Sequence, residues 1–383
     1  MKIIYYSHGF FSDCDFPLIR ELQSRGLDVE YYMPVASFSL KSSLLDLDKL
    51  YPKTGIFPAS VYPAFQTYKD EIDLSKVYVV NQVHKQKWHP INLLLYARLA
   101  LRMIRKNPDI IHVTLPPTLM MNLLYMVKKK LVLTLHDPFT HSGRGDKRTE
   151  RDRLRAFHNI KKIILLNQNQ VDEFVGNYNV PREHVFVTKL GMYDSITRVQ
   201  PVSYNTDRPY ILFFGLIAEY KGLEYLMQAM VKIHEQHPDV KLVVAGGGKL
   251  YFDMAPFKNM DYIDVHNHYV GVPELAGLLK GCMFSVCPYK DATQSGVVQT
   301  AFSLSVPMIV TNVGALPEAV HDGMTGLVVP PCDVDALAEA MNILISNPDT
   351  LATMRENIEN KWKKDMNWSP IADKYIECYN TKK

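Results

Sequence analysis

A stretch with the residue types needed to bind an anion runs over residues 288–318, PYKDATQSGVVQTAFSLSVPMIVTNVGALPE. Its pattern predicts a strand, a loop, a helix that begins at Gly296 with Ser295 as its N-cap, and a second strand. A helix that starts directly after a strand presents the backbone N–H groups of its first turn, here those of Gly296, Val297 and Val298. These groups and the positive end of the helix dipole suit a phosphate.

A candidate cation for the same phosphate lies in FFGLIAEYKGLEYL, residues 213–226. Gly215 follows a predicted strand, and Lys221 stands at the entrance of the next predicted helix. A lysine in this place could reach a phosphate near the helix start at Gly296, where a charge-assisted contact would be strong. The alternative interpretation is a solvated lysine at a helix cap.

Two histidines are predicted to follow strands directly. His136 occurs in LHDPFTHSG, residues 135–143, where its side chain should face a ligand cleft and Asp137 could orient its ring. His8 and Gly9 belong to the first strand–helix turn and could approach a diphosphate from the other domain. A satisfied structural histidine is the alternative in each case.

The elements that would position these residues form two α/β domains. A chain of 383 residues is too long for one ordinary domain. Alternating strand and helix patterns predict an N-terminal doubly wound domain over residues 1–195 and a second doubly wound domain over 205–366. The segment 191–209 lacks periodicity and is the predicted linker, with a cleft expected between the domains.

The predicted elements can be compared with the structure one by one. We predict strands at 2–7, 27–33, 109–113, 131–135, 163–167, 184–189, 210–215, 240–245, 283–287 and 308–311, and helices at 17–25, 91–106, 222–237, 273–281 and 296–305. Residues 36–76 show no clear period. The last helix is predicted to follow a break at Pro370.

Composition excludes several classes of protein. The formal net charge of +3 is too small to indicate a nucleic-acid partner. The five cysteines form no CxxC pair, which favours reduced thiols and a cytoplasmic location. With no run of eighteen apolar residues, no membrane-spanning helix is expected. No Asp-x-Asp motif stands at a strand end, so we expect no metal and no cofactor.

A basic segment raises the question of membrane contact. Residues 144–162 hold eight basic and three acidic residues, and further basic clusters lie at 102–106 and 128–130. Anionic membranes attract such patches, so this domain could dock on the inner face of the plasma membrane beside a lipid-linked acceptor. A solvated helix surface is the other interpretation.

The stretch SGVVQTAFSLSVPMIVTNVGALPEAVHDGMTGLVVP resembles the signature of the family-four retaining glycosyltransferases, which have the GT-B fold. The resemblance implies transfer of a sugar from a nucleotide-diphosphate sugar to a hydroxyl acceptor, with retained anomeric configuration. The product would be a cell-surface polysaccharide or glycolipid. It also implies that His136 contacts the donor sugar and that Lys221 contacts the diphosphate. In the resembled family the C-terminal segment crosses back to the N-terminal domain, so the final helix at 367–383 is expected to join residues 1–195.

The sequence departs from that family at three positions. Leu216 occupies the place of an arginine, and Ala292 and Thr300 occupy the places of a Glu pair. Asp291 could replace part of the sugar contact, and Thr300 or Gln299 could bond a ribose hydroxyl. Two alternatives to a transferase therefore stay open: a nucleotide-sugar-binding protein without transfer activity, and a GT-B isomerase of nucleotide sugars.

Overall fold

The computed structural model describes residues 1–139, 147–292 and 296–382. Contacts divide the chain into two compact units. Unit 1 consists of Met1–Gly191 and Trp368–Lys383, and unit 2 consists of Met192–Asn367. The final segment of the chain thus belongs to the same unit as the N-terminal half.

Unit 1 is built on a mostly parallel sheet. Its strands are β1 (Lys2–Tyr6), β2 (Asp28–Ala36), β3 (Gly55–Pro58), β4 (Val77–Gln82), β5 (Ile110–Val113), β6 (Leu131–Leu135), β7 (Ile163–Leu165) and β8 (Val185–Val187). In the described part of the chain their order is β3-β4-β2-β1-β5-β6-β7-β8, and only β3 pairs antiparallel. The order reverses between β1 and β5, which is where sheets of this kind bind ligands.

Helices cover both faces of this sheet. They are α1 (Ser12–Ser24), α2 (Pro90–Arg105), α3 (Lys147–Asn159) and α4 (Val171–Tyr178), with a 3-10 segment at Leu119–Lys130. One hydrophobic cluster joins Leu99 of α2, Phe157 of α3 and Phe174 of α4 to Leu133 of β6. Burial on both faces explains why the central strands are almost wholly apolar.

Unit 2 repeats this architecture with six parallel strands. They are β9 (Tyr210–Phe214), β10 (Lys241–Ala245), β11 (Ile263–His266), β12 (Ser285–Cys287), β13 (Met308–Thr311) and β14 (Gly326–Val329). Among the described residues their order is β11-β10-β9-β12-β13-β14. The order reverses between β9 and β12, so the loops that follow these two strands flank the expected ligand position.

The helices of unit 2 pack around a second apolar core. They are α5 (Leu223–Gln236), α6 (Val272–Gly281), α7 (Gly296–Ser303), α8 (Leu316–Ala319), α9 (Val334–Ser346), α10 (Pro348–Asn357) and α11 (Lys363–Asp365), with a π-helical turn at Ile358–Trp362. The core joins Met230 of α5 and Met341 of α9 to Val244 of β10. The last helix, α12 (Trp368–Asn380), belongs to unit 1.

Two helix boundaries correct the sequence predictions. The first helix begins at Ser12 rather than near Pro17, and Pro17 is buried inside it. The packing of neighbours such as Phe16 and Leu22, both fully buried, outweighs the hydrogen bond that the proline removes. Pro370 lies in the first turn of α12 rather than at a break, because an N–H is dispensable there.

The aperiodic segment before residue 77 contains more order than its sequence indicates. It carries β3, which pairs with β4, and neither strand is among the predicted ones. The segment 191–209, predicted to be a linker, belongs to unit 2 from Met192 onwards. The backbone N–H of Val202 donates to the carbonyl of Pro273 at 2.9 Å, and a Cβ on Gly277 would lie 1.7 Å from the carbonyl oxygen of Val202.

Candidate functional site

Three predicted site residues meet at the point where the strand order of unit 2 reverses. Gly215 directly follows β9 and has a φ of +104°, a value that favours glycine. A Cβ built on Gly215 would lie 3.4 Å from Nζ of Lys221 and 3.5 Å from Cγ2 of Val297. The loop after β9, the lysine and the first turn of α7 are therefore neighbours, as a phosphate site would require.

The Lys221 side chain is directed into the protein rather than into solvent. It is only 7% exposed, and its ammonium donates a hydrogen bond of 2.6 Å to the hydroxyl of Tyr289. Burial lowers the pKa of Lys221 to about 8. An unsolvated ammonium of this kind gains more from an arriving anion than a solvated one does, since little water has to be displaced from it.

Tyr289 is a site residue that the sequence analysis missed. It lies just after β12, is 2% exposed, and its backbone carbonyl accepts from the Thr311 hydroxyl at 2.6 Å. This bond ties the loop after β12 to the end of β13 and fixes the acceptor of the Lys221 bond. A tyrosine directly after an apolar strand and a proline was the available signal.

The glycines that follow β10 hold the neighbouring loop in place. A Cβ on Gly246 would lie 1.9 Å from the carbonyl oxygen of Gly215, and one on Gly248 would lie 2.2 Å from that of Ile217. The backbone N–H of Ile217 donates to Gly247 at 3.0 Å. Side chains at these positions would force the loop after β9 away from β10, so the triplet keeps Gly215 in position.

The start of α7 is packed by a residue of its own unit. A Cβ on Gly296 would lie 2.7 Å from Cε2 of Tyr193, whose ring is buried, so only glycine fits beside that ring. Val297 instead points towards Gly215 and Lys221. In the first turn of α7, Tyr193 therefore contacts Gly296, whereas the candidate phosphate position lies next to Val297.

The remaining predicted residues of unit 2 differ in their surroundings. Asp291 is exposed, and Val298 is buried in the core. The hydroxyl of Thr300 donates to the carbonyl of Gly296 at 2.8 Å, which leaves its oxygen able to accept a further bond. Ser295, the predicted N-cap, lies outside the described residues.

Gln299 directly precedes Thr300 and is the second candidate for a ribose contact. It is 6% exposed, and within the described part of the chain its Oε1 has no hydrogen-bond partner. A buried amide oxygen without a partner is unfavourable by about 1–3 kcal/mol. Gln299 is therefore better placed than an exposed residue to gain from a ligand hydroxyl.

The predicted residues of unit 1 lie at the carboxyl ends of its strands. His136 follows β6, and its ring stacks on Phe11 with a centroid distance of 3.9 Å and an interplanar angle of 9°. Its Nε2 lies 4.0 Å from Sγ of Cys14. Burial lowers the pKa of His136 to about 4, so the ring is neutral at physiological pH and acts as a hydrogen-bonding group rather than a cation.

Gly9 is in the turn after β1. It is buried, and a Cβ there would lie 3.1 Å from Sδ of Met33. The ring of His8 stacks on that of Phe10 at 4.4 Å, and burial lowers the pKa of His8. The same turn supplies Phe11, so Gly9 and His136 belong to one group of packed residues in unit 1.

Arg153 of α3 fixes the loop that carries His136. Its guanidinium donates to the backbone carbonyls of Asp137, at 3.2 Å, and of Pro138. The guanidinium also lies over the ring of Phe157, 5.6 Å from its centroid. His112 of β5 is fully buried, and its two ring nitrogens lie 2.6 Å from Tyr379 Oη and 2.8 Å from Thr134 Oγ1.

Metal ligands are absent from the part of the chain that is described: no group of three or more His, Cys, Asp or Glu side chains there could hold a metal ion. The site in unit 2 consists instead of a cation, a helix start and closely packed glycines. This is the composition of a site for an anion.

Two units that are each built on a doubly wound sheet define the class of fold, and comparison with known proteins identifies the family. Residues 17–192 match the family model described as Glycosyltransferase Family 4, and residues 208–347 match the one described as Glycosyl transferases group 1. The chain belongs to the family-four glycosyltransferases and has the GT-B fold.

Curated relatives are similar over part of their length. A D-inositol 3-phosphate glycosyltransferase of Arthrobacter sp. is 27% identical over 224 residues, which are 54% of this chain and 53% of that protein. An alpha-maltose-1-phosphate synthase of Mycolicibacterium smegmatis is 27% identical over 188 residues, which are 45% of this chain and 48% of that protein. The chain thus matches about half the length of these relatives.

Solved structures match the whole fold. Sucrose-phosphate synthase from Thermosynechococcus elongatus has a TM-score of 0.72 at 16% identity, covering 99% of this chain and 98% of that one. HepE of Anabaena, solved in complex with UDP, has a TM-score of 0.68 at 14% identity, covering 98% and 99%. At these identities the likeness shows the fold alone.

Proposed function

We propose that this protein transfers a sugar from a nucleotide-diphosphate sugar to a hydroxyl acceptor, with retained anomeric configuration. The observation that carries the proposal is the meeting of Gly215, Lys221 and Val297 at the first turn of α7. Membership of the glycosyltransferase family and the UDP bound by HepE, a protein of the same fold, support a nucleotide-sugar donor.

Charge stabilisation of the leaving diphosphate is the chemical step that these residues would serve. The bond between the sugar and the diphosphate breaks, and negative charge develops on the departing phosphate oxygen. The Lys221 ammonium and the backbone of the α7 start would stabilise that charge without reorganising. The Lys221 ammonium is preorganised because it donates a hydrogen bond of 2.6 Å to the hydroxyl of Tyr289, which holds it in place.

Retention is proposed to follow from attack on the same face of the sugar. The predicted site residues include one carboxylate, Asp291, whereas double displacement uses a pair of carboxylates. In a front-face transfer the departing phosphate oxygen accepts the proton of the acceptor hydroxyl. We propose a glycan or lipid-linked acceptor of cell-surface polysaccharide or glycolipid synthesis.

His136 is proposed to contact the donor sugar through a neutral ring. With its pKa lowered to about 4, the ring can exchange hydrogen bonds with sugar hydroxyls without adding charge. The stacking on Phe11 fixes the plane of the ring, and Arg153 fixes the loop that follows it.

A thermal-shift screen against UDP, ADP, GDP and their sugars tests donor binding, because a ligand that binds the native state raises the melting temperature. We expect one nucleotide to stabilise the wild-type protein and to stabilise Lys221→Met much less. Product analysis with that donor then separates the three alternatives. Sugar on an acceptor supports the transferase, an altered sugar without acceptor supports the isomerase, and donor binding without product supports the binding protein.

A further inference from the structure

Helix α2 (Pro90–Arg105) carries apolar residues on the face that it buries and also on the face that it exposes. Its buried residues include Leu95, Leu99 and Met103, as expected for a helix that packs on a sheet. A surface helix normally shows charged and polar residues on its other side. Here the exposed side is occupied by Ile91, Leu94, Arg98, Leu101 and Arg105, spaced alternately by three and four residues along one stripe. We call these five residues the α2 stripe.

The exposure of the α2 stripe is substantial. Ile91 is 45% exposed, Leu94 is 50% exposed and Leu101 is 38% exposed. Trp88, two residues before the helix, is 57% exposed. Single exposed apolar residues are common on protein surfaces, but a row of three on one helix face beside an exposed tryptophan is typical of a surface that becomes covered.

An open groove of about 320 Å³ adjoins the first turns of α2. Its lining combines apolar side chains with two arginines of α3; the residues are Trp88, Leu93, Leu119, Met120, Asn122, Arg151, Asp152 and Arg155. Leu119 and Met120 begin the 3-10 segment Leu119–Lys130, which packs on α2 and ends in three lysines. The α2 stripe, the groove and this segment thus form a connected surface within unit 1.

The charges of this surface are mostly basic; Asp152 in the groove is acidic and buried. Residues 85–106 contain six basic and no acidic residues, and residues 115–130 contain three basic and no acidic ones. Two of the six are already engaged, because Arg102 donates to the hydroxyl of Tyr32 at 3.1 Å and Lys106 pairs with Glu30 at 2.6 Å. Arg98 and Arg105, within the α2 stripe, are exposed.

We propose that the α2 stripe and Trp88 dock on an anionic lipid surface. Apolar side chains would enter the boundary between headgroups and acyl chains, and the arginines would contact lipid phosphates. A protein partner of the same area would have to match a predominantly basic surface, because residues 85–106 and 115–130 contain nine basic residues and no acidic residue. None of the described helices is both long and apolar enough to cross a membrane, so the contact is peripheral.

This surface shares Arg151 and Arg155 of the groove with the basic sequence 144–162, but its apolar part lies on α2. The proposal deepens the proposed function, since a membrane is where a lipid-linked acceptor would be presented. The two can fail separately: vesicle binding is measured without nucleotide, and nucleotide binding is measured without vesicles.

Vesicle flotation tests the proposal with the full chain. We expect the protein to float with vesicles that contain phosphatidylglycerol and to stay in solution with phosphatidylcholine vesicles. Binding should weaken as salt is raised, because screening reduces the electrostatic part. Failure to float with the anionic vesicles would overturn the proposal, and equal flotation with both kinds would overturn the role of charge.

The fluorescence of Trp88 gives a local readout. The chain has three tryptophans, and Trp362 and Trp368 are buried at 2% and 4% exposure. A blue shift on addition of anionic vesicles would therefore report Trp88 entering an apolar environment. We expect Trp88→Phe, which keeps an aromatic side chain in the docking surface, to lose the shift, because Trp362 and Trp368 are buried. An unchanged emission spectrum of wild-type protein on vesicles would show that another surface is bound.

Paired variants locate the contact on α2. Leu94→Glu with Leu101→Glu should abolish flotation, and Arg98→Gln with Arg105→Gln should weaken it by about fivefold for each arginine. Ile343→Glu is the matched control, because Ile343 is an apolar residue of helix α9 in unit 2 that is 42% exposed. We expect this control to float as the wild type does.

Two results of the variant series would overturn the assignment. The first is retained flotation of the glutamate pair, or an equal loss in the Ile343→Glu control. The second is a concentration-dependent dimer of the wild type that the glutamate pair dissociates, because a second copy would then cover the α2 stripe. Melting temperatures with and without UDP, measured on every variant, verify that each is folded and that nucleotide binding is unaffected.

Discussion

Replacing Lys221 with methionine should make the nucleotide-free protein more stable at neutral pH while it weakens nucleotide binding. Lys221 is 7% exposed, and burial lowers its pKa from 10.5 to about 8. A charge held in such a position is unfavourable until an anion arrives. Methionine has a similar length, no charge and a flexible chain that can fill the same space.

The magnitude follows from the shift in the pKa. The pKa of Lys221 falls by about 2.5, from 10.5 to about 8, which means that burial destabilises the charged form in the native state by about 3 kcal/mol. The methionine variant avoids this penalty but loses the hydrogen bond to Tyr289, which reduces its gain by about 1 kcal/mol. The net gain of about 2 kcal/mol should raise the melting temperature of a unit of this size, residues 192–367, by about 4–8 °C.

The sign of the pH dependence is fixed by the same shift. Between about pH 8 and 10.5 the unfolded state holds more protons at this lysine than the native state does. Wild-type stability from this group therefore rises with pH across that window, and below it the penalty is complete. The advantage of the methionine variant should be largest at about pH 7 and should shrink towards about pH 10.

Differential scanning calorimetry at both pH values, with and without UDP, measures all of these effects. Lys232→Met is the control, because Lys232 is an α5 lysine whose side chain is 49% exposed and pairs with Asp335; its melting temperature should change little. A lower melting temperature for Lys221→Met at neutral pH would refute the burial argument. An undiminished shift with UDP would remove Lys221 from the nucleotide site.

Three further predictions concern other residues of the two units. Gly215→Ala should destabilise the protein by about 1–2 kcal/mol in urea denaturation, because the φ of +104° at this position is unfavourable for alanine. The same variant should weaken UDP binding in calorimetric titration, because the new Cβ points at Nζ of Lys221. Tyr379→Phe should cost about 1–3 kcal/mol in thermal unfolding, because the buried ring of His112 loses a partner at 2.6 Å; an unchanged melting temperature would contradict this. His136→Ala should lower turnover by a factor that is constant between about pH 6 and 8 in initial-rate assays, because a ring with a pKa of about 4 does not change charge there; a bell-shaped ratio of rates would contradict it.

Much of the fold could be predicted from local sequence. The strands at 131–135 and 308–311 have the predicted bounds, and most other strands agree within two residues, because buried parallel strands are short apolar runs that end in glycine, proline or polar residues. The strand pair β3 and β4 was missed because β3 has four residues and its role as an edge strand depends on a partner about twenty residues away.

The sequence allowed the residues around the candidate phosphate position to be selected, but not the side chain that holds Lys221 in place. Gly215, Lys221 and Val297 could be selected from strand–loop–helix patterns, and the structure places both side chains within 3.5 Å of where a Cβ on Gly215 would lie. Tyr289 could not be selected, because its contact with Lys221 joins residues 68 positions apart. The roles of all these residues in binding and catalysis remain predictions.

The sequence by itself determined two doubly wound α/β units, because hydrophobic period and turn residues act within a few residues of one another. Only the tertiary structure decided that the segment after Gly191 packs on α6 and α7, that Lys221 is buried against Tyr289, and that the outer face of α2 carries exposed apolar residues. Burial is a property of distant neighbours: the same lysine or leucine is solvated or desolvated according to what the rest of the chain places beside it.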